Sequence, residues 1–159
     1  MTATISRPKI SNWETSNIPN LTGKTALITG ANSGLGYYTA KALAEKNAHV
    51  VIACRSLEKA NQTIKKLKGL NPEGLFTPLE LDLSDLKNIV EVQSKIFDNF
   101  ENLDLLINNA GIMHPPKTLS AQGYEIQFAV NHLAHMLLTL KLLPIIEKKE
   151  ESRIVTVTS

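Results

Sequence analysis

Three closely spaced glycines in the segment ALITGANSGLGYYTAKAL are the first candidates for chemistry. Gly30, Gly34 and Gly36 lie between a short apolar run and a stretch of helical length, so the chain is predicted to pass from a strand through a tight turn into a helix. Glycines let the turn reverse and let a phosphate approach the backbone, and the first N–H groups of the helix attract that anion. The segment therefore predicts a phosphate-binding turn.

The spacing of these glycines is G-x-x-x-G-x-G, which differs from the common dinucleotide-binding pattern G-x-G-x-x-G. No Gly-Lys-Ser or Gly-Lys-Thr follows, which excludes the P-loop of nucleoside triphosphatases. Any turn between a strand and a helix can carry glycines, so this reading depends on the rest of the chain.

The elements that would hold this turn alternate along the chain. Five apolar runs predict strands: KTALITG, HVVIACR, LFTPLELD, LDLLINNAG and RIVTVTS. Four predicted helices lie between them, at residues 35–47, 57–67, 86–100 and 124–146. Buried strands alternating with helices predict an α/β fold with a doubly wound parallel sheet, a Rossmann arrangement of about five strands.

The boundaries of the domain follow from the same pattern. A polar arm, residues 1–20, precedes a single predicted domain, residues 21–159. Ser84, in the segment LSDLKN, is the predicted N-cap of the third helix. The last run would be the final strand that this sequence contains.

Composition and charge narrow the class of protein. The chain has 159 residues, 43% of them hydrophobic and 20% charged, with a net charge of +2, which gives no reason to expect nucleic acid as a partner. The one cysteine, Cys54, fits a reducing compartment. The first twenty residues are polar and contain no apolar run of the kind found in secretory signals, and Lys141 and Pro144 interrupt the most apolar stretch, so we expect no transmembrane segment and a cytoplasmic location.

Several motifs together resemble those of one family. TGANSGLG is similar to the T-G-x-x-x-G-x-G turn of the short-chain dehydrogenase/reductase family, and LDLS, NNAG, AVNHLAH and RIVTVTS resemble its later motifs in the same order. The resemblance extends over residues 21–159, which correspond to the N-terminal, cofactor-binding half of the family. The residues of the first motif and of the segment VNHLAHMLLT resemble most the branch of retinol dehydrogenases and light-dependent protochlorophyllide reductases.

The resemblance implies a set of site residues. Those implied to bind the cofactor are Gly30, Asn32, Ser33, Gly34, Leu35, Gly36, Arg55, Asp82, Leu83, Asn109, Ala110 and Gly111. Asp82 would contact the adenine. Ser159 would be the catalytic serine that orients the substrate oxygen, and Asn131 would hold a water in the proton relay.

The end of the second strand bears on which cofactor is bound. Sites for NAD place a carboxylate there to bind the ribose 2′-OH, but this chain has Cys54 followed by Arg55. A guanidinium can bind a 2′-phosphate in a bidentate manner, whereas a carboxylate would repel it. We therefore expect NADP(H), although an arginine at a strand end can also be merely solvated.

Some of these polar residues could have a structural role in place of a functional one. The amides of Asn108 and Asn109 could bind nearby backbone groups instead of a ligand. Asn131 could equally be a local hydrogen-bonding residue that distorts its helix. His132 and His135 share a helical face but have no third ligand, so packing or surface roles are favoured and no metal site is predicted.

Carbonyl reduction also needs a proton donor. The family uses a tyrosine with a lysine four residues later, and the one Y-x-x-x-K match here, Tyr37 with Lys41, sits in the first helix, away from Ser159. The pair is therefore expected about a dozen residues beyond Ser159. On this view the sequence is a truncated enzyme with negligible turnover by itself.

The expected activity is NADP(H)-dependent hydride transfer that reduces a carbonyl or oxidises an alcohol on a small-molecule substrate. The alternatives are light-dependent reduction of a ring C=C bond, or a non-catalytic dinucleotide-binding or redox-sensing protein. Self-association is expected through the predicted helix 124–146 or through the last strand, whose edge would be exposed.

Overall fold

The computed structural model describes residues 12–158. Its sheet has five parallel strands in the order β3-β2-β1-β4-β5. The strands are β1 Thr25–Thr29, β2 His49–Cys54, β3 Phe76–Glu80, β4 Leu105–Asn108 and β5 Arg153–Thr156. The helices between them are α1 Gly34–Ala44, α2 Leu57–Leu70, α3 Leu86–Asn99, α4 Ile126–Phe128 and α5 Ala134–Ile146. The predicted doubly wound Rossmann fold is confirmed.

Alternation of side chains along the strands divides the core into two layers. Ala26 and Ile28 of β1 face one layer, which also holds the buried residues of α1 and α2. Leu27 faces the opposite layer, which holds the buried residues of α3 and α5. Both faces of the sheet are therefore covered by helices, as the near-continuous apolar strands require.

The N-terminus of α3 differs from the prediction. The N-cap is Asp85, whose carboxylate accepts the N–H of Lys87 at 2.9 Å, and not Ser84. Ser84 instead donates its hydroxyl to Asp82 Oδ1 at 2.6 Å. A second contact favours Asp85, because Gln122 donates from its side chain to the same carboxylate oxygen at 2.6 Å.

The last long helical segment has three parts. It begins at Ile126 and not at the predicted Tyr124, because the Glu125 carboxylate caps it by accepting two backbone N–H groups. A π-helical turn, Ala129–Leu133, separates α4 from α5. As predicted for the helix over residues 124–146, α5 continues through Lys141 and Pro144 to Ile146.

One helical stretch, Ile126–Ile146, meets the length and composition expected of a membrane-spanning helix. Length and composition alone are weak evidence for a membrane span, since one face of α5 lies in the protein core through Leu138, Leu142 and Ile145. Core helices of this kind pass the same test.

The two ends of the described chain differ in how far they are covered by the rest of the protein. Near the N-terminus, Ile18 and Leu21 pack against the α1–α2 layer. At the other end, β5 pairs only with β4 among the described residues, and all four of its residues are exposed. The division into an arm and a domain at residue 21 stays a prediction.

Candidate active site

The carboxyl ends of the central strands border a cleft of about 440 Å³. In a doubly wound parallel sheet, the connections that leave two neighbouring strands lead toward opposite edges of the sheet, and ligands bind in the crevice between them. Here that crevice lies between β1 and β4. The walls of the cleft come from the ends of β1 and β2, from the segment after β3, and from the segment after β4.

The turn after β1 brings backbone close to backbone. Gly30 has φ +66°, and a Cβ there would come within 2.9 Å of Ala110 Cα. Gly36 is buried in the first turn of α1, where a Cβ would collide with the Gly30 carbonyl oxygen and the Asn109 side chain. These two glycines therefore allow β1, α1 and the segment after β4 to meet at one place.

The N-terminus of α1 has no side-chain cap. Its N-cap, Ser33, accepts no backbone N–H with its side chain, and no acidic residue lies in the first turn. By contrast, Ser56 caps α2 and Asp85 caps α3. The uncapped N–H groups and the positive end of the α1 dipole therefore favour an anion at this helix end.

Arg55 and Asp82 line the same cleft. Arg55 is exposed, and no carboxylate forms an ion pair with it within residues 12–158. The Oδ1 atom of Asp82 accepts the backbone N–H and the hydroxyl of Ser84, at 2.8 and 2.6 Å. The second carboxylate oxygen of Asp82 is thus the one left to contact a ligand. Burial raises the pKa of the neighbouring Cys54 thiol, so Cys54 stands as a neutral group in this wall.

The segment after β4 is held by hydrogen bonds to its backbone. The N–H groups of Asn109 and Ala110 both donate to Thr29 Oγ1 at 2.9 Å. The Asn109 side chain donates to the Thr29 carbonyl at 2.9 Å. The Asn131 amide accepts the N–H of Ile112 and donates to its carbonyl, both at 2.9 Å. The main chain that lines the cleft is therefore fixed from two sides.

Residues 24–159 match the short chain dehydrogenase family. The chain belongs to this family. The strand order, the glycine turn and the cleft at the carboxyl ends of the strands agree with this family assignment, because they are features of a dinucleotide-binding fold.

Relatives within the family include retinol dehydrogenases. Human retinol dehydrogenase 13 is 42% identical over 137 residues, which are 86% of this chain and 41% of the relative. Mouse retinol dehydrogenase 11 is 40% identical over 145 residues, which are 91% of this chain and 46% of the relative. The chain thus spans less than half the length of these two relatives, and it is retinol-dehydrogenase-like within the family.

Two solved structures have the same fold. The Pseudomonas aeruginosa RhlG/NADP active-site complex aligns with a TM-score of 0.75 at 26% identity, over 88% of this chain and 56% of that one. A metagenomic short-chain oxidoreductase in complex with NADP aligns with a TM-score of 0.77 at 26% identity, over 88% and 64%.

Most of the site residues expected from the sequence come together. The main cleft is lined by Gly30, Asn32, Arg55, Asp82, Leu83, Ala110 and Gly111. A smaller adjoining cleft of about 350 Å³ is lined by Ser33, Leu35 and Asn109, together with Gly30, Asn32, Ala110 and Gly111. Gly34 begins α1, and Gly36 packs behind the turn. Asn131 lies in the π-helical turn and lines neither cleft, and Ser159 lies outside the described residues.

Other cleft residues have weaker signals in the sequence. Thr29 is the threonine of the TG pair, and its place at the end of a strand could have marked it. Ser84 belongs to the quoted LDLS motif and lines the cleft beside Asp82. Thr118 also lines it from a loop, and no local pattern marks that position.

The histidines and the Tyr37–Lys41 pair take no part in lining the cleft. His132 stacks on Phe128 with ring centroids 5.4 Å apart, whereas His135 is buried. No cluster of residues suited to a metal occurs within the described part of the chain. Lys41 forms an ion pair with Glu45 at 2.7 Å on α1, which agrees with the view that its spacing from Tyr37 is fortuitous.

Proposed function

We propose that this chain binds NADP(H) and forms the cofactor-binding part of an oxidoreductase that transfers a hydride between the nicotinamide and an alcohol or carbonyl substrate. The observation that carries the proposal is that Arg55 lines the same cleft as the glycine turn, at the end of a strand that has no terminal carboxylate. The cofactor supplies the hydride chemistry, and the residues of this chain bind and orient it.

The pyrophosphate fits the N-terminal end of α1. The uncapped N–H groups and the dipole of that helix favour a negative charge there. Gly30 and Gly36 keep this region free of side chains where β1, α1 and the segment after β4 converge. A side chain at either position would displace the backbone that the phosphates approach.

The 2′-phosphate fits the Arg55 side of the cleft. The guanidinium is exposed and has no carboxylate partner within residues 12–158, so it can donate two parallel hydrogen bonds to a phosphate. Glu80, at the end of β3, pairs in register with Cys54 but does not line the cleft. Asp82 would accept from the adenine through its second oxygen. The two solved NADP complexes named above support this choice of cofactor.

Titration of NADPH and NADH tests the proposal. NADPH should bind more tightly to the wild type, and Arg55→Ala should weaken that binding by about 1.5–3 kcal/mol, roughly a 10- to 150-fold loss of affinity, because one charged phosphate contact is removed. NADH affinity should change little. Lys59→Ala is the matched control, since Lys59 is exposed in the first turn of α2 and does not line the cleft. Equal wild-type affinities for both cofactors would end the NADP(H) assignment.

The substrate class is inferred from relatives. Proteins named retinol dehydrogenase in human and mouse support an apolar alcohol and its aldehyde as the substrate pair. Ser159 is proposed to orient the substrate oxygen, as the family resemblance implies. The proton donor is not assigned to Tyr37, because its lysine partner is engaged with Glu45. Ser159→Ala, assayed with retinal in the full enzyme, should lower turnover far more than it lowers cofactor affinity.

We also infer that copies of this chain self-associate through the edge of β5. All four residues of β5 are exposed, and the backbone groups on its outer edge can pair with another strand. The cytoplasmic location stays a prediction from the sequence.

A further inference from the structure

His135 is a buried polar residue that neither cleft uses. It is 5% exposed and lies in the first turns of α5, directly after the π-helical turn. Its ring contacts polar groups at both nitrogens. Nε2 lies 2.9 Å from Thr29 Oγ1, and Nδ1 lies 3.3 Å from the Asn131 carbonyl oxygen.

Counting hydrogen bonds at Thr29 fixes which nitrogen carries the proton. A hydroxyl has one proton to donate and two lone pairs to accept. Both lone pairs of Thr29 Oγ1 are taken by the N–H groups of Asn109 and Ala110. The hydroxyl proton must therefore go to His135 Nε2 at 2.9 Å, or to the more distant Ile107 carbonyl at 3.5 Å. Nε2 is then an acceptor without a proton, and Nδ1–H donates to the Asn131 carbonyl.

The two partners of the His135 ring are the same two residues that hold the segment after β4. Thr29 holds the N–H groups of Asn109 and Ala110, and Asn131 holds both backbone groups of Ile112. The imidazole bridges these two anchors from behind, on the core side. Ala110 and Ile112 line the cleft, but His135 does not.

We propose that His135 is a positioning residue whose ring, with its proton on Nδ1, bridges the Thr29 hydroxyl and the Asn131 carbonyl and thereby fixes Asn109–Ile112 as the β4 wall of the nucleotide site. The effect of this bridge on nucleotide binding rests on the proposed NADP(H) function, whereas the hydrogen bonds of the bridge do not. Burial lowers the pKa of His135, which keeps the ring neutral as this bridge requires. A second proton, on Nε2, would face the Thr29 oxygen and force the hydroxyl to release one of its two N–H donors.

The first test is the tautomer in the wild-type chain. Nitrogen-15 NMR of the His135 ring should show Nδ1 protonated and Nε2 bare at neutral pH. The opposite tautomer, or a rapid mixture of both, would overturn the bridge. This measurement needs neither a variant nor a cofactor, so it stands even if no nucleotide binds.

The second test separates positioning from simple packing. His135→Leu keeps an apolar side chain of similar volume but removes both bonds, so amide protection at Asn109, Ala110 and Ile112 should fall about tenfold more than protection at Leu106 of β4. His135→Gln can still accept the Thr29 hydroxyl proton and should restore most of that protection. Leu138→Val is the control, since Leu138 is buried one turn later and contacts the same core layer. Equal effects of His135→Leu and Leu138→Val would reduce His135 to a packing residue.

NADPH affinity supplies the functional readout. It should weaken about tenfold in His135→Leu and be retained in His135→Gln and Leu138→Val, since only the first variant loses both hydrogen bonds by which the ring bridges Thr29 and Asn131. If the wild type binds no NADPH, the proposed function fails, and the tautomer and exchange results still decide the role of His135. Unchanged NADPH affinity in His135→Leu would overturn the positioning role.

Discussion

Gly36 shows how much the cleft depends on the absence of one side chain. A Cβ at this position would meet the Gly30 carbonyl and the Asn109 amide, and both residues line the smaller cleft. The glycine spacing in the sequence predicts a phosphate-binding turn. The reason for Gly36 in particular is a contact with Asn109, which only the folded sheet brings near.

Substitution of Gly36 tests this contact. Gly36→Ala should destabilise the chain by about 1–3 kcal/mol, since backbone must shift to admit the methyl group, and it should weaken NADPH binding. Gly69→Ala is the matched control, because Gly69 lies in α2 with nothing within 4 Å of its added Cβ. That control should stabilise by about 0.5–1 kcal/mol through helix propensity. Urea unfolding of both variants gives the comparison, and a neutral Gly36→Ala would contradict the close approach.

Hydrogen bonds between residues that are distant in the sequence could not be predicted from the motifs alone. Thr29 and His135 are 106 positions apart, and their hydrogen bond exists only because α5 packs behind the end of β1. The sequence leaves Asn131 open between a catalytic and a structural role. In the structure its side chain binds the backbone of Ile112, which establishes the structural contact and leaves the catalytic role a prediction.

At the scale of elements, the strands and helices are largely predictable and their ends are less so. Apolar β-branched runs and helical periodicity identify all five strands and the long helices. Adjacent capping residues such as Ser84 and Asp85 are locally equivalent. The choice between them depends on Gln122, which comes from a distant loop. The π-helical turn Ala129–Leu133 has no local signature of this kind.

The Asp85 cap predicts an acid-sensitive helix terminus. Hydrogen bonds from the Gln122 side chain and the Lys87 N–H lower the pKa of Asp85. The folded chain therefore binds this proton more weakly than the unfolded chain. The resulting stability is present above the usual aspartate pKa of about 4 and is lost as the pH falls through the lowered value.

Urea unfolding between about pH 6 and about pH 3 measures this loss. The unfolding free energy of Asp85→Asn should depend less steeply on pH than that of the wild type. Asp98→Asn is the control, near the C-terminal end of the same helix, and its unfolding free energy should depend on pH as steeply as that of the wild type. Identical slopes in the wild type and Asp85→Asn would show that the cap carries no such linkage.

At the scale of the whole chain, the edge of β5 that is exposed within residues 12–158 predicts self-association of the 159-residue chain. Size-exclusion chromatography with light scattering over a dilution series should show a mass that rises with protein concentration. Val155→Lys should lower that mass, because a charge on an edge strand opposes pairing with another chain. Val90→Lys is the control, since Val90 on α3 is 45% exposed and Val155 is 44% exposed. A monomer at every concentration, or equal effects of the two lysines, would contradict association through β5.

The most direct measurement of the central claim is the mapping of NADP⁺ onto the chain by amide chemical shifts. Binding should perturb Gly30–Gly36, Arg55, Asp82–Ser84 and Ala110–Ile112, the residues that line or support the two clefts. NAD⁺ should reproduce these changes more weakly and leave Arg55 unaffected. The absence of perturbation at these residues, or changes confined to the opposite end of the sheet near Trp13 and Lys24, would contradict the proposed nucleotide site.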